Sequence, residues 1–211
     1  MPIEVEARFR ADSARPLDDL AQRRRLGSAT LGPARTVDET DRYLDTADLR
    51  LAAARWACRL REREGRVRLS MKGPAEEQAD GWHHRRPEIE GPADHRIDPD
   101  AWPASPALDL LNQLRNGSPL HERLRFEQRR TERAVRLDDV PIATLSLDQV
   151  RMSGAGADLG ALLVVELELA DGSAAGASQL DHLASILAGI PGLVEEPRSK
   201  LEHALDRLAA T

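Results

Sequence analysis

The stretch "EVEARFR", residues 4–10, decides the fold because it carries a charge at every second position. In an extended strand successive side chains point to opposite faces, so the four charged residues share one face and Val5, Ala7 and Phe9 share the other. A strand with one charged and one apolar face is therefore predicted here. Its charged face would point to water in an ordinary half-buried sheet and inward in a polar barrel, so this stretch alone leaves both orientations open.

Further segments repeat the alternation of polar and apolar residues. They are "ACRLRER" (57–63), "RVRLSMK" (66–72), "HRRPEIE" (84–90), "RRTERAVRL" (129–137), "PIATLSLDQV" (141–150) and "LLVVELELADG" (162–172). Turn signals separate them, which predicts antiparallel strands. "REGR" around Gly65 suits a tight hairpin, whereas "KGPAEEQADGW" (72–82) is predicted as a longer loop and "MSGAGADLG" (152–160) as a flexible one.

Helical periodicity is present in residues 15–26, 105–117, 176–190 and 196–210. Ser105 is predicted to cap the second helix, Gly117 to end it, and Pro197 to occupy the first turn of the last helix. The C-terminal helices, at about 176–211, are predicted to pack on the sheet within a single domain spanning residues 1–211.

The composition is typical of a soluble domain without general affinity for polyanions. The chain is 41% hydrophobic and 31% charged with a net charge of -6, so nucleic acid is not an expected partner. Cys58 is the one cysteine and no metal-type Cys/His spacing is present, so a cytoplasmic location is expected. No charged leader or apolar run of about 20 residues is found, so neither secretion nor a membrane span is expected.

Lysine is rare in this chain. Of 30 basic residues, Lys72 and Lys200 are the lysines and the rest are arginines. Lysine presents a compact ammonium with three donors, whereas arginine presents a planar fork, so a site that needs a small ammonium would resist exchange. The two lysines either mark such a site or persist by chance.

Paired like charges favour the inward orientation of the charged faces. Glutamates recur two apart at 4/6, 88/90 and 166/168, and arginines recur two apart at 59/61 and 66/68. Side chains two apart on a strand lie about 6.5–7 Å apart, which allows two carboxylates to share a divalent cation. Rows of basic residues repel one another unless a polyanion lies between them. The pattern therefore predicts a closed barrel whose apolar outer rows are covered by helices and whose charged rows line a polyphosphate-binding tunnel.

Taken in order, the motifs resemble those of the CYTH superfamily, the triphosphate tunnel metalloenzymes, over nearly the full length. The matching segments are Glu4, Glu6 and Arg8 at the family's opening E-x-E-x-K, "YLDT" (43–46), "RLR" (59–61), "SMKGP" (70–74), "RRPEIE" (85–90), "RRTERAVRL" (129–137), "LSLDQV" (145–150), "VVELEL" (164–169) and "PRSKLEHAL" (197–205). Each motif is weak alone, but the shared order is specific, and both lysines fall on motif positions. Arg8 departs from the usual lysine: it can bind phosphate but stays protonated, so it cannot transfer a proton.

The resemblance implies an α+β, mainly β fold: an eight-stranded antiparallel closed β-barrel, open at both ends, with helices packed outside. It implies hydrolysis of a triphosphate with Mg²⁺ or Mn²⁺ as cofactor. The implied metal ligands are Glu4, Glu6, Asp148, Glu166 and Glu168, with Glu88 as a lesser candidate. The implied phosphate-binding residues are Arg8, Arg59, Arg61, Lys72, Arg86, Arg130 and Lys200. Lys72 joins the four paired glutamates of the two outer E-x-E motifs as the catalytic set. Arg129 and Arg133 compete with Arg130, because the sequence does not fix the register of that strand.

Inorganic tripolyphosphate, cleaved to pyrophosphate and phosphate, is the expected substrate, with ATP and thiamine triphosphate as alternatives. The resemblance also covers class IV adenylyl cyclases, so cyclisation of ATP is a second alternative, and a non-catalytic polyphosphate-binding module is a third. The scarcity of aromatic residues argues against a nucleobase pocket. Retention of both outer E-x-E pairs favours catalysis, because anion binding alone needs no metal ligands. Monomer and homodimer both remain open.

Other polar and aromatic residues have a structural interpretation as well as a functional one. Tyr43 and Asp45 either shape the tunnel mouth or belong to a turn. His83 and His84 are expected at the tunnel rim or on the surface, Trp56, Trp82 and Trp102 are expected to pack against helices, and Cys58 is expected to be a buried thiol.

Overall fold

Strands dominate the chain, as the alternating pattern predicts. The computed structural model describes residues 2–76, 83–170 and 174–210. The strands are β1 (Ile3–Ala11), β2 (Arg25–Leu26), β3 (Ala29–Leu31), β4 (Arg35–Thr46), β5 (Ala57–Arg63), β6 (Arg66–Lys72), β7 (His83–Pro92), β8 (Leu120–Leu137), β9 (Val140–Gly154), β10 (Ala157–Leu169) and β11 (Leu193–Glu195). The helices are α1 (Arg15–Gln22), α2 (Arg50–Ala53), α3 (Pro106–Arg115), α4 (Ala174–Ala188) and α5 (Lys200–Ala209), with a 3-10 turn at Pro99–Ala101.

Eight of these strands close into a barrel. Their order is β8-β4-β5-β6-β7-β1-β10-β9, and β9 pairs with β8 to complete the ring. The pairings are antiparallel. β3 pairs with β8 and with β2, and β11 pairs with β1, outside the ring. The predicted eight-stranded closed antiparallel barrel with external helices is confirmed.

The strand register turns the charged rows inward. Glu6 lies opposite Glu168 across β1 and β10, and directly paired residues project to the same face of a sheet. The alternate residues of β1 form the outer row, where Val5 is 1% exposed and Phe9 is 0% exposed. The inward orientation of "EVEARFR" follows from this burial.

Helices cover the outer apolar rows on two sides of the barrel. Leu20 of α1 and Leu183 of α4 belong to the apolar core built on β1, β9 and β10. Leu51 of α2 and Leu111 of α3 belong to a second core over β5 and β6. Burial of these rows is the main apolar contribution that holds the barrel closed.

Apolar side chains fill one end of the barrel. Toward the start of β8 and β10 the inner row changes from charged to apolar, and Phe126, Val150, Met152 and Val164 form a buried cluster there. Ala204 of α5 packs against this cluster, which we call the floor. The expectation of a barrel open at both ends is therefore wrong, because the floor and α5 close this end.

Tight turns join two of the hairpins. Glu64 and Gly65 between β5 and β6 have φ values of 51° and 72°, as in the hairpin predicted for "REGR". Ala155 and Gly156 between β9 and β10 have φ values of 49° and 80°. The flexible loop predicted at 152–160 is therefore wrong, since the two long strands continue almost to the turn.

β4 is the barrel strand that alternation failed to predict. Both of its faces are polar, because Glu39 and Asp41 point into the barrel while Asp38 and Thr40 lie on the outer face. A strand without an apolar row has no period-two hydrophobic signal.

The helix boundaries differ from the predictions in detail. α1 ends at Gln22 because residues 25–26 pair with β3. Asn116, at φ 47°, is the C-cap of α3 ahead of Gly117, while Ser105 caps its start as predicted. Pro197 precedes α5, whose N-cap is Ser199. Residues 77–82 of the loop predicted at 72–82 lie outside the described residues. In the described part of the chain no helix has the length and apolar character to cross a bilayer.

Candidate active site

The barrel encloses a charged cavity of roughly 510 Å³ above the floor. Its acidic lining residues are Glu4, Glu6, Asp41, Glu88, Glu90, Glu166 and Glu168. Its basic lining residues are Arg8, Arg59, Arg61, Lys72, Arg86, Arg130 and Lys200. Burying so many charges is tolerable because most of them are arranged as ion pairs across neighbouring strands.

Glu4 at the start of β1 binds two cations from β6 and β7. Lys72 Nζ lies 2.7 Å from Glu4 Oε1, and Arg86 Nε lies 2.6 Å from Glu4 Oε2. Lys72 Nζ also lies 3.1 Å from Glu88, and Arg86 Nη2 lies 3.2 Å from Glu6. Burial by itself would raise the pKa of Glu4, but Lys72 and Arg86 hold that pKa well below its ordinary value. Glu4 is therefore ionised across the physiological pH range.

Glu6 and Glu168 are the carboxylates least compensated by cations. Burial raises the pKa of Glu6, and the neighbouring carboxylates of Glu4 and Glu166 raise it further. Glu168 lies at the rim of the cavity, where enclosure by the barrel wall and the charges of Glu4 and Glu6 raise its pKa to about 7. These two side chains can accept a proton or a cation, since either would relieve the repulsion.

A second ion-pair cluster joins β8, β9, β10 and α5. Arg130 donates to both carboxylate oxygens of Asp148, at 2.8 and 2.7 Å, and to Glu166 at 2.8 Å. Lys200 Nζ contacts Asp148 and lies 2.8 Å from Glu166 Oε1. Burial would raise the pKa of Glu166, but Lys200 and Arg130 hold that pKa well below its ordinary value. Lys200 thus brings the start of α5 into the wall of the cavity.

A third cluster contains acidic residues that the sequence did not single out. Arg61 donates from Nε and Nη2 to the two oxygens of Asp41, both at 2.7 Å, and Asp41 is 1% exposed. Glu39 accepts from Gln128 at 2.6 Å and lies 3.1 Å from Arg63. Both acids lie on β4, and they were missed because that strand lacks the hydrophobic alternation.

Two guanidinium groups keep donors without a hydrogen-bond partner. Within the described part of the chain, Nε and Nη1 of Arg8 and Nε of Arg59 are buried and make no hydrogen bond. Arg8 is 5% exposed and Arg59 is 7% exposed. Nearby carboxylates are at ion-pair rather than hydrogen-bond distance, with Glu6 Oε1 3.7 Å from Arg8 Nε. Because buried donors are normally satisfied, these groups indicate a place for an anionic ligand.

A family model described as the CYTH domain matches residues 2–192. The chain belongs to the CYTH family. This finding confirms the resemblance drawn from the ordered motifs, and it agrees with the closed barrel. A search of curated proteins finds no match.

Solved structures share the fold of this CYTH protein at low sequence identity. A Hippeastrum protein, described as a candidate adenylyl cyclase with a dominant triphosphatase activity, is 18% identical with a TM-score of 0.58, covering 96% of this chain and 95% of its own. The PH1819 protein of Pyrococcus horikoshii is 19% identical with a TM-score of 0.57, covering 96% and 99%. The triphosphatase of the Mimivirus capping enzyme is 12% identical with a TM-score of 0.51, covering 88% and 89%. At these identities the likeness establishes the barrel fold.

The CYTH barrel brings the proposed site residues together. The predicted glutamates and basic residues line the cavity, while Asp148 is 0% exposed behind Arg130 and Lys200. On β8, Arg130 is the arginine that points inward and Arg129 is exposed. Arg133 points to the outer side, where it donates to the carbonyls of residues 20, 21, 23, 31 and 32.

The residues with competing interpretations have mostly structural surroundings. Asp45 accepts hydrogen bonds from the amides of Leu51 and Ala52 and so anchors α2. Tyr43 lines the cavity and packs on Phe126, with ring centroids 4.9 Å apart.

Cys58 and the two described tryptophans lie away from the cavity. Trp56 and Trp102 belong to the apolar core under α3, and Cys58 is buried there with a pKa raised by that burial. Trp82 and the side chain of His83 lie outside the described residues. His84 is half-buried and is paired with Glu6 across β1 and β7.

Proposed function

We propose that this CYTH protein is a metal-dependent triphosphatase whose preferred substrate is inorganic tripolyphosphate, cleaved to pyrophosphate and phosphate. The observation that carries the proposal is the pair of buried arginines, Arg8 and Arg59, which keep N–H donors without a hydrogen-bond partner among the described residues, inside a cavity rich in basic residues. Desolvated donors of this kind are costly unless an acceptor is supplied. A chain of phosphate oxygens supplies several acceptors at once.

Carboxylates take the place of phosphate oxygens in the free tunnel. Lys72 and Arg86 bind Glu4, and Arg130 and Lys200 bind Glu166. A triphosphate would offer these cations stronger, multiply charged acceptors. Glu4 and Glu166 would then be released toward the interior, beside Glu6 and Glu168.

The donor set fits Mg²⁺ or Mn²⁺, because hard cations prefer carboxylate oxygens. The proposed ligands are Glu4, Glu6, Asp148, Glu166 and Glu168. The pKa values of Glu6 and Glu168 are raised by burial and by neighbouring carboxylates, and a bound cation would relieve that repulsion, which supports this assignment. In the described residues no three metal-binding side chains are placed to hold one ion, and Glu4 and Glu166 are each held by cations, so the proposed site requires those ion pairs to open. When bound, the cation would shield phosphate charge and activate the attacking water.

The basic residues would bind the phosphate oxygens and neutralise the charge of the leaving group. Arg8 and Arg59 would bind the phosphate oxygens first, since their donors need not leave a carboxylate. Phosphate oxygens would also be bound by Arg61, Lys72, Arg86, Arg130 and Lys200. Lys72 would neutralise charge that develops on the leaving pyrophosphate, and Glu6 or Glu168 would orient the attacking water.

The open end of the tunnel favours an inorganic substrate. Pro2, Ile3, Glu90 and Ala170 line the cavity at the strand ends opposite the floor. Among the described lining residues the aromatic ring is that of Tyr43, which packs on Phe126 in the floor. A nucleobase at the mouth would therefore find no described aromatic ring on which to stack.

The names of two structural relatives support a triphosphatase. The Hippeastrum protein is described with a dominant triphosphatase activity, and the Mimivirus protein is a capping-enzyme triphosphatase. The Hippeastrum protein and a Bacillus halodurans protein are also described as candidate adenylyl cyclases. Formation of cyclic AMP is therefore the competing outcome that the experiment must separate.

The experiment measures product release from tripolyphosphate, ATP and thiamine triphosphate, each with Mg²⁺, Mn²⁺ or EDTA. Metal-dependent release of phosphate and pyrophosphate, fastest from tripolyphosphate, is the expected result. Cyclic AMP and pyrophosphate from ATP would identify a cyclase instead. Tight tripolyphosphate binding without turnover would identify a receptor and would overturn the proposed hydrolysis.

A further inference from the structure

Lys200 reaches the cavity from an element outside the barrel ring. It is the first residue of α5, it is 9% exposed, and its ammonium contacts Asp148 and Glu166 inside the wall. A lysine side chain is a flexible four-carbon stem, so the position of its ammonium depends on how firmly the backbone beneath it is held. The contacts that hold residues 196–203 therefore bear on the site.

Residues 196 and 197 are bound directly to β1. The amide of Glu196 donates to the carbonyl of Arg8 at 3.0 Å, and the Nη2 of Arg8 donates to the carbonyl of Pro197 at 3.1 Å. Arg8 thus anchors the segment that leads into α5 with one nitrogen, while its Nε and Nη1 make no hydrogen bond in the described residues. A lysine at position 8 would have to make both kinds of contact from one nitrogen, whereas the guanidinium of Arg8 offers separate nitrogens for them.

The Glu196 side chain bridges to the second turn of α5. Glu196 Oε2 lies 2.8 Å from His203 Nε2, a close contact that is not aligned as a hydrogen bond in the described residues, and the two residues are 4% and 7% exposed. Glu196 Oε1 accepts from the backbone amide of Arg198 at 3.1 Å, and Arg10 Nε lies 3.5 Å from Glu196 Oε2. The contact between Glu196 and His203 therefore spans Lys200 in sequence and ties both sides of it together.

We propose that Glu196 and His203 are positioning residues, forming a clasp that fixes Lys200 in the tunnel wall. Neither side chain lines the described cavity, so both act through Lys200 rather than on a ligand. Displacement of a catalytic group by about 1 Å can cost about a hundred-fold in rate. The kinetic consequence of the clasp rests on the proposed triphosphatase function, but its effect on the placement of Lys200 does not.

Acetylation of lysine tests the placement without any assay of activity. The chain has two lysines, so an N-hydroxysuccinimide ester followed by peptide mass spectrometry reports on Lys200, with Lys72 as an internal control. His203→Ala and the milder Glu196→Gln should accelerate acetylation of Lys200 about ten-fold by favouring local opening, with Lys72 unchanged. An unchanged rate at Lys200, or equal acceleration at both lysines, would overturn the clasp.

Arg207→Gln is the matched control on the same helix. Arg207 anchors the other end of α5 by donating to the carbonyls of Leu159 and Ala161, at 2.8 and 3.1 Å. This variant should lower the melting temperature yet leave acetylation of Lys200 within about two-fold of wild type. Acceleration equal to that in His203→Ala would show that any loosening of α5 suffices, and would overturn a specific clasp.

A double-mutant cycle tests the kinetic role. His203→Ala should lower kcat/KM for tripolyphosphate by about ten- to a hundred-fold, and His203→Gln should restore part of that loss. In the Lys200→Met background the same change should have less than about a two-fold effect, because the group it positions is gone. Full additivity would overturn the positioning role. If the wild-type protein hydrolyses no triphosphate, the proposed function fails while the acetylation result still decides the clasp.

Discussion

Glu4 forms ion pairs with Lys72 and Arg86 in the cavity. Because both cations have other partners, replacing Glu4 tests its role in activity separately from its role in folding. Glu4→Gln should lower kcat for tripolyphosphate at least about a hundred-fold, because a proposed metal ligand and an ion-pair partner are lost together. The barrel should remain folded, since Lys72 keeps Glu88 at 3.1 Å and Arg86 keeps Glu6 at 3.2 Å.

Kinetics and urea denaturation of the same preparation would check this expectation. Glu127→Gln, an exposed position on β8, is the control and should change neither quantity. An unfolded Glu4→Gln protein would contradict the expectation by showing that the carboxylate holds the barrel together.

Glu168 predicts a pH dependence of stability in the metal-free protein. Its pKa is raised from 4.5 to about 7 in the folded state, so the folded protein binds more protons than the unfolded chain between these values. The stabilising contribution of the protonated side chain is therefore present below about pH 4.5 and is lost as the pH rises through 7.

Glu168→Gln keeps a neutral side chain at every pH. Its melting temperature in EDTA should exceed that of wild type at pH 8 and converge with it at pH 5. A difference that is the same at both pH values would show that the raised pKa is not responsible.

At the scale of single elements, β8 shows two arginines with opposite roles three residues apart. Arg133 satisfies backbone carbonyls of the α1 end and β3, whereas Arg130 faces Asp148 and Glu166. Arg133→Gln should lower the free energy of unfolding by about 3 kcal/mol, because several buried carbonyls lose their donor. Its kcat at a temperature where it is folded should be unchanged.

Arg130→Gln should lower turnover more than it lowers stability, the opposite of Arg133→Gln. Asp148 retains Lys200 as a partner, so the loss falls mainly on turnover, by at least about a hundred-fold. Chemical denaturation and steady-state kinetics of both variants would test whether Arg133 acts on stability and Arg130 on turnover. Loss of activity in a folded Arg133→Gln protein would contradict the division of roles.

The elements also show which parts of the molecule can be predicted from sequence. Alternation in β1 and β10 predicted the strands and their two faces, because each of these strands has an apolar row that must be buried, and the paired like charges predicted that the charged faces point inward. The same rule gave no signal for β4, whose two faces are polar, and so missed Asp41. The register of β8 depends on pairing with β9, so sequence could not choose Arg130 over its neighbours. The short turn at Ala155 was hidden by Gly and Ala that also suit a loop.

At the scale of the whole molecule, the floor closes one end of the cavity, and in the described residues the opposite end is open. Phe126 and Val164 block the end covered by α5, so a long polyphosphate that bound as proposed would enter the site by a chain end. Digestion of a long polyphosphate should therefore release single phosphates or pyrophosphates stepwise, without fragments from the middle of the chain. Gel electrophoresis of partial digests would check this, and early mid-length fragments would contradict it.

Because the acids and bases of the cavity pair with one another, the proposed site would bind a triphosphate and a metal ion cooperatively. An anion that bound alone would take the cations from Glu4 and Glu166 and leave those carboxylates buried and unpaired. A metal ion that bound alone would take the same carboxylates and leave Lys72 and Lys200 buried without those partners. When both arrive, each compensates the groups that the other exposes. By thermodynamic reciprocity, the factor by which the metal tightens triphosphate binding equals the factor by which triphosphate tightens metal binding. In a cell, a polyanion without a metal ion, or free magnesium without a polyanion, would therefore bind weakly. Tight binding would require both together.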